Sequence, residues 1–327
     1  MSSSSSSKQQ VNFDLTVGHQ DPDQAVNWNR RDLLLYAVGI GHGERELDYT
    51  YEQSLGFRAF PTYPVVLALK GTHQDTNVFS EMIGSRGAMP GMPNLDPNTI
   101  VHGEQSIEVL HEIPLISGEG WKIRKRVVAV HDKGSGLIME QEAKLISPVG
   151  RVHAITRSAT FYRGGGQGTG YSKDLSPKPQ GAKVPEGKPA SFTLREKISY
   201  NQAALYRLSG DYNPLHIDPS IGQKGGLGGT ILHGLCSYGF AARAILRAVV
   251  PSDGEQGKPA AQLRFMSARF TSPVKMGQEL ETSVWIVGER DGFTEVAFEQ
   301  QIVGGKKSLG AGFALVRKVP NVSQGKL

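Results

Sequence analysis

Hydrophobic and polar residues alternate along several segments of this 327-residue chain, which predicts a protein rich in β-strands. Two short segments with glycine and aspartate, residues 132–136 and 290–292, are typical of hairpin turns between such strands. The predicted strands of the first half are residues 47–51, 100–110, 121–130, 137–146 and 154–162. Those of the second half are residues 262–270, 282–287, 293–303 and 310–316.

Helical patterns precede the strands in each half. Two segments, residues 28–41 and 200–210, each end with a Leu-Tyr pair followed shortly by a glycine that would stop a helix. A further apolar helix is predicted to begin within residues 231–240. Residues 60–69 fit a helix or a strand. Because the order of helix, strands and hairpin recurs at an offset of about 160–170 residues, we interpret the chain as two copies of one α+β fold.

Composition suggests where the copies begin and end. We predict a disordered serine-rich tail over residues 1–11, a first copy over residues 12–163 and a second copy over residues 191–319. The Gly-, Pro- and Lys-rich residues 164–190 are the predicted linker, and residues 320–327 are a tail. The irregular Gly/Met/Pro loop at residues 84–97 could form a flexible cover over a ligand.

Charge and cysteine content narrow the possible functions. The net charge is +5, but the basic residues are scattered and no RNP, zinc or basic-helix pattern accompanies them, so nucleic-acid binding is not expected. A modest positive charge of this kind is compatible with binding an anionic small molecule. The single Cys236 excludes an internal disulfide and a cysteine-based zinc site, and the histidine spacing predicts no metal. No apolar run reaches the roughly 18 residues needed to span a bilayer.

The candidate chemistry lies just after the second-copy helix. Asp211, Asn213 and His216 follow Gly210, which allows a sharp bend. A carboxylate and an imidazole this close can share one water molecule, one taking a proton while the other gives one. The helix start at residues 231–240 could supply N–H groups to a developing oxyanion. Together they suggest chemistry on a carbonyl compound.

The first copy lacks this set. Its matching stretch, residues 40–45, has no acid, amide and imidazole at the same spacing. We therefore predict that the second copy is catalytic and that the first accommodates the bulk of the substrate.

Two motifs carry a resemblance to a known family. Leu208-Ser-Gly-Asp-Tyr-Asn-Pro-Leu-His216, with Leu232-His-Gly-Leu-Cys236, resembles the hydratase motif of the MaoC-like R-specific 2-enoyl-CoA hydratases. The two-copy layout is similar to eukaryotic 2-enoyl-CoA hydratase 2, the hydratase part of peroxisomal multifunctional enzyme type 2. The resemblance implies a double hot-dog fold, in which each copy wraps an antiparallel sheet around a long helix. It also implies hydration of trans-2-enoyl-CoA to (3R)-3-hydroxyacyl-CoA by a homodimer, with no cofactor.

The resemblance also assigns residues to roles. Asp211 and His216 would hold and activate the water, and Asn213 would orient water and substrate. Gly234 would offer its N–H to the thioester oxygen, and Glu52 would support the site. The positions that match contacts to the CoA ester are His102, Gly103, Lys133 and Phe270. Each residue also has a structural alternative, such as a turn, a cap, an ion pair or core packing.

Several alternatives remain open at this point. The same scaffold could act as a 3-hydroxyacyl-CoA dehydratase, as a hot-dog thioesterase, or as a non-catalytic acyl-CoA-binding protein. His233 is expected to pack or hydrogen-bond near the helix start. The resemblance implies a peroxisomal location, with the cytoplasm as the alternative. The C-terminal Gly325-Lys-Leu327 is only an imperfect copy of the Ser-Lys-Leu peroxisomal address, because glycine replaces its first residue.

Overall fold

The computed structural model describes residues 11–84, 89–95 and 99–320. Within them, the strands form one antiparallel sheet in the order β1-β3-β4-β5-β2-β8-β11-β10-β9-β7, and β6 pairs with β3 off this path. The strands are β1 (Gln24–Ala25), β2 (Ile100–Val109), β3 (Lys122–Asp132), β4 (Gly136–Ile146), β5 (Val152–Arg163), β6 (Ser172–Asp174), β7 (Phe192–Lys197), β8 (Ala260–Phe270), β9 (Glu279–Arg290), β10 (Phe293–Ile302) and β11 (Lys307–Val319).

The two halves of the chain meet where β2 pairs with β8. This ladder runs from Glu104 opposite Arg269 to Glu108 opposite Phe265. The backbone hydrogen bonds of the sheet therefore continue from one half to the other, and the predicted antiparallel strands of both halves share one sheet.

Eight α-helices accompany this sheet in the described part of the chain. They are α1 (Phe13–Thr16), α2 (Arg30–Gly39), α3 (Leu47–Thr50), α4 (Pro64–Lys70), α5 (Phe79–Gly84), α6 (Gln202–Tyr206), α7 (Pro219–Lys224) and α8 (Gly234–Val249). Twelve consecutive residues of α8, Leu235 to Leu246, are buried. A helix buried on every face has to be covered all round. The strands of the second half, chiefly β8 and β11, cover one side of α8.

The first half has no helix of this length among the residues that the structure describes. Its α2 has 10 residues against 16 in α8, and it packs against α6 rather than along the sheet. The two segments that the sequence matched to each other, residues 28–41 and 200–210, therefore contribute helices that pack together.

Two predicted elements differ from the structure. Residues 47–51, predicted as a strand, contain α3 instead, because tertiary contacts fix this segment: the buried Asp48 carboxylate accepts hydrogen bonds from Ser54 and Arg58. Part of the predicted linker also forms β6, which extends the sheet beside β3.

One apolar core serves both halves. It includes Tyr36 and Tyr63 from the first half, and Tyr206, Ile245 and Val296 from the second. None of the helices in the described part of the chain is both long and apolar enough to cross a membrane.

Some predictions fall on residues that the structure does not describe. Residues 1–10 of the predicted N-terminal tail and residues 321–327, with the Gly325-Lys-Leu327 address, lie outside the described residues. The loop at residues 84–97 is described only in part. Its Met92 packs in a small cluster with Phe13 and Val127.

Candidate active site

A tightly packed glycine with a positive φ precedes the candidate acid. Gly210 ends the 3-10 turn Arg207–Ser209 with a φ of +125°, which L side chains rarely adopt. A Cβ added there would lie 2.7 Å from Lys70 Cβ and 2.8 Å from Lys70 Cα. The backbone therefore runs tightly against the end of α4, and this contact fixes where the next residue, Asp211, begins.

Asn213 and Pro214 then turn the chain toward His216. The Asn213 side chain caps the 3-10 turn Pro214–His216, because its Oδ1 accepts the Leu215 N–H at 3.0 Å. The Asp211 carboxylate accepts the Asn213 N–H at 3.3 Å. Local turn chemistry thus brings the carboxylate and the imidazole to the same side of the loop.

The hydrogen bond to Ile231 defines which His216 nitrogen is available for chemistry. Nδ1 of His216 lies 2.9 Å from the Ile231 carbonyl oxygen. Because a carbonyl can only accept, Nδ1 carries the hydrogen in this bond, and Nε2 of the neutral ring has a free lone pair. The residue is only 9% exposed.

Asp211 and His216 shift each other's pKa in opposite senses. Burial raises the pKa of the Asp211 carboxyl, while the charge of His216 and the Asn213 N–H lower it. Burial lowers the pKa of His216, while the Asp211 carboxylate and the Ile231 carbonyl raise it. Ligand atoms of the two side chains lie within 4.8 Å of each other. The two groups therefore titrate as a pair, and one proton shared between them suits acid–base work near neutral pH.

The N-terminus of α8 lies beside this pair. The helix begins at Gly234, and its N-cap residue His233 makes no side-chain capping bond. No acceptor for the Gly234 N–H lies among the described residues. The helix dipole makes this end favourable for a developing negative charge.

Phe270 and His102 border the same helix end. A Cβ on Gly234 would lie 3.1 Å from two ring carbons of Phe270, so the ring covers this glycine. The rings of Phe270 and His102 are 4.7 Å apart. Burial lowers the pKa of His102 to about 4, so the ring is neutral near pH 7. Gly103 follows at a bulge between β2 and β5. The structure thus brings three of the four predicted CoA-ester residues to the start of α8.

Two predicted site residues are not brought to the pair. Lys133 is exposed at the tip of the β3–β4 hairpin, where its backbone N–H bonds to Gly136. Glu52 is exposed just after α3. The segment around Glu52 is bound near the other end of α8, because Tyr49 donates to Asp253. Because α8 is about 24 Å long, the structure does not show Glu52 supporting Asp211 and His216 directly.

His233 was not assigned to the site from the sequence. Its ring stacks on His216 with centroids 3.7 Å apart and planes 28° apart, and its Nε2 lies 3.1 Å from the Asp211 backbone oxygen. His233 and Asp211 are 22 positions apart in the sequence, so only the fold reveals this contact.

Asp211, His216 and His233 also offer ligand atoms within 4.8 Å of one another, as a metal site would. Metal ions bind imidazole nitrogens in the plane of the ring. With the two rings stacked, a single ion could lie in both ring planes only after one ring rotated. The arrangement fits hydrogen bonding to water better than metal coordination.

Two family models match the chain. The model described as "MaoC like domain" matches residues 182–307, and the model described as "MFE-2 hydratase 2 N-terminal domain" matches residues 26–164. The second therefore covers the half without the acid–imidazole pair, and the first covers the half that carries it.

Named relatives agree with these matches. The chain is 38% identical to "Probable dehydratase NIT22" of Ajellomyces capsulatus, over 80% of this chain and 69% of that protein. It is 31% identical to "Enoyl-CoA hydratase 2, peroxisomal" of Arabidopsis thaliana, over 95% of this chain and 97% of that one. It is 34% identical to mouse "Peroxisomal multifunctional enzyme type 2", over 84% of this chain but only 35% of the mouse protein, so it spans about a third of that relative.

Solved structures show the same fold. A MaoC-like dehydratase from Phytophthora capsici superposes with a TM-score of 0.81 at 34% identity and covers 96% of this chain and 100% of that one. A Mycobacterium tuberculosis protein described as a double hotdog fold superposes at 0.56 with 12% identity, over 94% and 97% of the two chains, which bears on the fold alone. The predicted α+β double hot-dog is confirmed. The chain belongs to the MaoC-like family, in the group that also carries the hydratase 2 N-terminal domain.

Proposed function

We propose that this protein is a hydro-lyase that adds water to trans-2-enoyl-CoA and forms (3R)-3-hydroxyacyl-CoA in fatty acyl-CoA metabolism. The observation that carries the proposal is the pairing of the half-buried Asp211 with the buried His216 beside the start of α8, where the Gly234 N–H has no acceptor among the described residues. The relatives named enoyl-CoA hydratase 2 support the CoA thioester, and the R configuration is what the resemblance of the hydratase motif implies.

The reaction uses the two parts of the site together. The thioester oxygen accepts the Gly234 N–H, which draws electron density from C3 and stabilises the enolate-like charge that forms. The oxygen of a water held between Asp211 and His216 bonds to C3, and one member of the pair takes a proton from that water. The other member gives a proton to C2. One H2O is added in total, and a proton passing between the two groups restores the starting state.

Neighbouring residues would orient the substrate. The Oδ1 of Asn213 is occupied by the Leu215 N–H, which leaves its Nδ2 to donate to the water or the substrate. His102, Gly103 and Phe270 lie where the thioester and the adjoining part of CoA would enter. The exposed ammonium of Lys133 would suit a CoA phosphate.

A dehydratase acting on 3-hydroxyacyl thioesters is the second candidate. Relatives named as dehydratases support it, among them "3-hydroxyacyl-thioester dehydratase Y" of Mycobacterium tuberculosis at 32% identity. The same groups catalyse both directions, because a catalyst lowers the barrier equally for the forward and the reverse step. For one enoyl and 3-hydroxyacyl pair the ratio of the two kcat/KM values equals the equilibrium constant, so it carries no information on the enzyme's role. Profiling kcat/KM across a series of acyl chains, which shows the substrates that the protein prefers, separates the two.

Location and assembly belong to the same proposal. Relatives named as peroxisomal proteins support a peroxisomal location for this chain. We further infer a homodimer that needs no cofactor. Light scattering of the purified protein would show the dimer directly, and activity retained after dialysis against EDTA would support the absence of a metal.

The central test is hydration by the purified protein. The absorbance of the enoyl thioester should fall, and chiral analysis should find the 3R product. Asp211→Asn and His216→Gln should each lower kcat by about 10²–10⁴-fold, because each removes one proton-transfer group without changing its size much.

Matched controls separate chemistry from general damage. Asp218→Asn and His73→Gln change the same residue types at exposed positions, and asparagine caps α7 as well as aspartate does. Both should keep wild-type turnover. Near wild-type rates in folded Asp211→Asn or His216→Gln would remove those residues from the mechanism. Release of free CoA thiol without hydration would identify a thioesterase instead.

A further inference from the structure

His233 touches all three parts of the candidate site. Its ring stacks on His216, its Nε2 lies 3.1 Å from the Asp211 backbone oxygen, and it immediately precedes Gly234. Its own backbone oxygen accepts the N–H groups of Cys236 and Ser237, which form the first turn of α8. The side chain is therefore attached to the rigid end of a buried helix.

The hydrogen bond defines the protonation state of His233. Because the Asp211 carbonyl oxygen only accepts, Nε2 of His233 carries the hydrogen. Its Nδ1 is buried and has no hydrogen-bond partner among the described residues. A proton on Nδ1 would be a buried charge without a partner, and burial together with the charges of His216 and Arg207 holds the pKa of His233 well below its usual range. The ring therefore stays neutral while His216 exchanges protons.

We propose that His233 is a positioning residue that holds Asp211 and His216 at their working separation. It fixes the Asp211 backbone through the Nε2–H bond and fixes the plane of the His216 ring by stacking on it. On the opposite side, contact between Gly210 and Lys70 restrains the same loop. His233 makes no proton transfer in this scheme, which rests on the proposed hydration reaction.

A larger separation between Asp211 and His216 would change the pH profile of kcat/KM in a definite way. The opposite charges of Asp211 and His216 lower the pKa of the acid and raise that of the base. A larger separation weakens both effects, so the two limits of the bell-shaped pH profile of kcat/KM move toward each other. An increase in the separation of the two charges from about 4 to 6 Å would move each pH limit by an amount on the order of one unit. The groups that face His233 from the surrounding elements are Tyr206, Arg207, Asp211 and His216.

His233→Phe is the main test. Phenylalanine keeps the ring volume and hence the burial of the pair, but it cannot donate to the Asp211 carbonyl. We expect kcat to fall by about 10–100-fold with a smaller change in KM, and the pH profile to narrow from both sides. The variant is assayed as the full chain beside wild type.

His42→Phe is the matched control. His42 is also buried, also bonds to one backbone oxygen (that of Ala37), and also lies against aromatic rings, those of Tyr49 and Phe60. It should lose stability without moving either limit of the pH profile. Equal losses of kcat in both variants, with unchanged pH limits, would overturn the proposal, because general destabilisation then explains them.

A second variant and a second measurement keep the test decisive. If His233→Phe does not fold, His233→Gln retains a donor for the Asp211 carbonyl but removes the stacked ring. A fall in kcat with a shifted pH limit supports the proposal, and wild-type kcat and limits overturn it. NMR titration of the His216 ring reports on the pair without turnover. A displaced His216 pKa in His233→Phe would therefore support the positioning role even where the wild-type protein fails to hydrate enoyl-CoA.

Discussion

At the scale of single residues, the site depends on a backbone position as much as on its acid and its base. Asp211 follows Gly210, whose φ of +125° and contact with Lys70 leave no room for a side chain. Glycine adopts this φ readily, whereas a residue with a Cβ would be strained there. The backbone conformation of Gly210 therefore fixes the position of the Asp211 carboxylate.

Gly210→Ala should therefore damage both stability and activity. The added Cβ would meet backbone atoms of Lys70, which cannot move aside as a flexible side chain does. We expect the free energy of unfolding to fall by about 2–4 kcal/mol and kcat to fall by about 10²-fold, since the Asp211 loop must shift. Denaturant unfolding and steady-state kinetics would measure the two effects.

Gly118→Ala provides the comparison. Gly118 also has a positive φ, +65°, but nothing lies within 4 Å of an added Cβ. It should cost about 1 kcal/mol from backbone strain alone and leave kcat unchanged. Equal kinetic effects of the two substitutions would show that contact with Lys70 does not position Asp211.

At the scale of elements, the ends of α8 have different roles. Its N-terminus faces the catalytic pair, whereas the segment just past its C-terminus binds the first half of the chain. There Arg58 lies 3.2 Å from Asp48 and 3.2 Å from Asp253, and all three groups are largely buried. Asp253 also accepts the N–H of Ala261 at the start of β8. One guanidinium thus joins α3, the end of α8 and β8.

Arg58→Ala should be strongly destabilising, because it removes a cation that lies against two buried carboxylates. We expect a loss of about 3–5 kcal/mol in the free energy of unfolding near pH 7. Arg58 lowers the pKa of Asp253, which burial raises, so without Arg58 the folded-state pKa rises further. The folded variant then binds a proton that the unfolded chain has released, and its stability falls as pH rises. The deficit against wild type should therefore shrink as the pH falls below neutral.

Arg195→Ala tests whether burial is the cause. Arg195 pairs with Glu281 at 2.6 Å, but its side chain is 60% exposed. Its removal should cost less than about 1 kcal/mol. Denaturant unfolding of both variants between pH 5 and pH 8 measures the contrast, and a similar loss in each would contradict the argument from burial.

At the scale of the whole molecule, the two halves are one folding unit. The β2–β8 ladder continues the sheet across the boundary, and one apolar core contains side chains from both halves. The chain between them is held to the sheet at Lys178, which pairs with Glu104 and Glu140, and at Ala182, whose N–H donates to Glu295. Residues 186–189 are exposed, although the Lys188 carbonyl oxygen accepts the Trp285 ring N–H.

A cut in this exposed stretch should leave the protein intact. With a protease site inserted between Glu186 and Gly187, the nicked protein should elute as one species and keep kcat within about twofold, because covalent connection adds little to an interface of core quality. The uncut insertion variant is the control. Separation of the fragments during size-exclusion chromatography would show that the linker, rather than the shared sheet and core, holds the halves together.

The sequence by itself determined much of the local structure and singled out the candidate reacting groups. Alternating residues predicted the long strands, since one face of each is buried, and the spacing of Gly210, Asp211, Asn213 and His216 predicted the acid–imidazole loop from turn chemistry. These features depend on neighbours a few residues away, which a single sequence displays.

The tertiary structure decided every relation between distant segments. It formed α3 where alternation predicted a strand, it placed Glu52 toward the far end of α8, and it stacked His233 on His216. The Tyr49–Asp253 hydrogen bond joins the two halves, whereas the stacking of His233 on His216 joins two segments of the second half. No pattern along the chain encodes which of these surfaces meet. The chemistry was therefore visible in the order of residues, whereas its alignment depended on the fold.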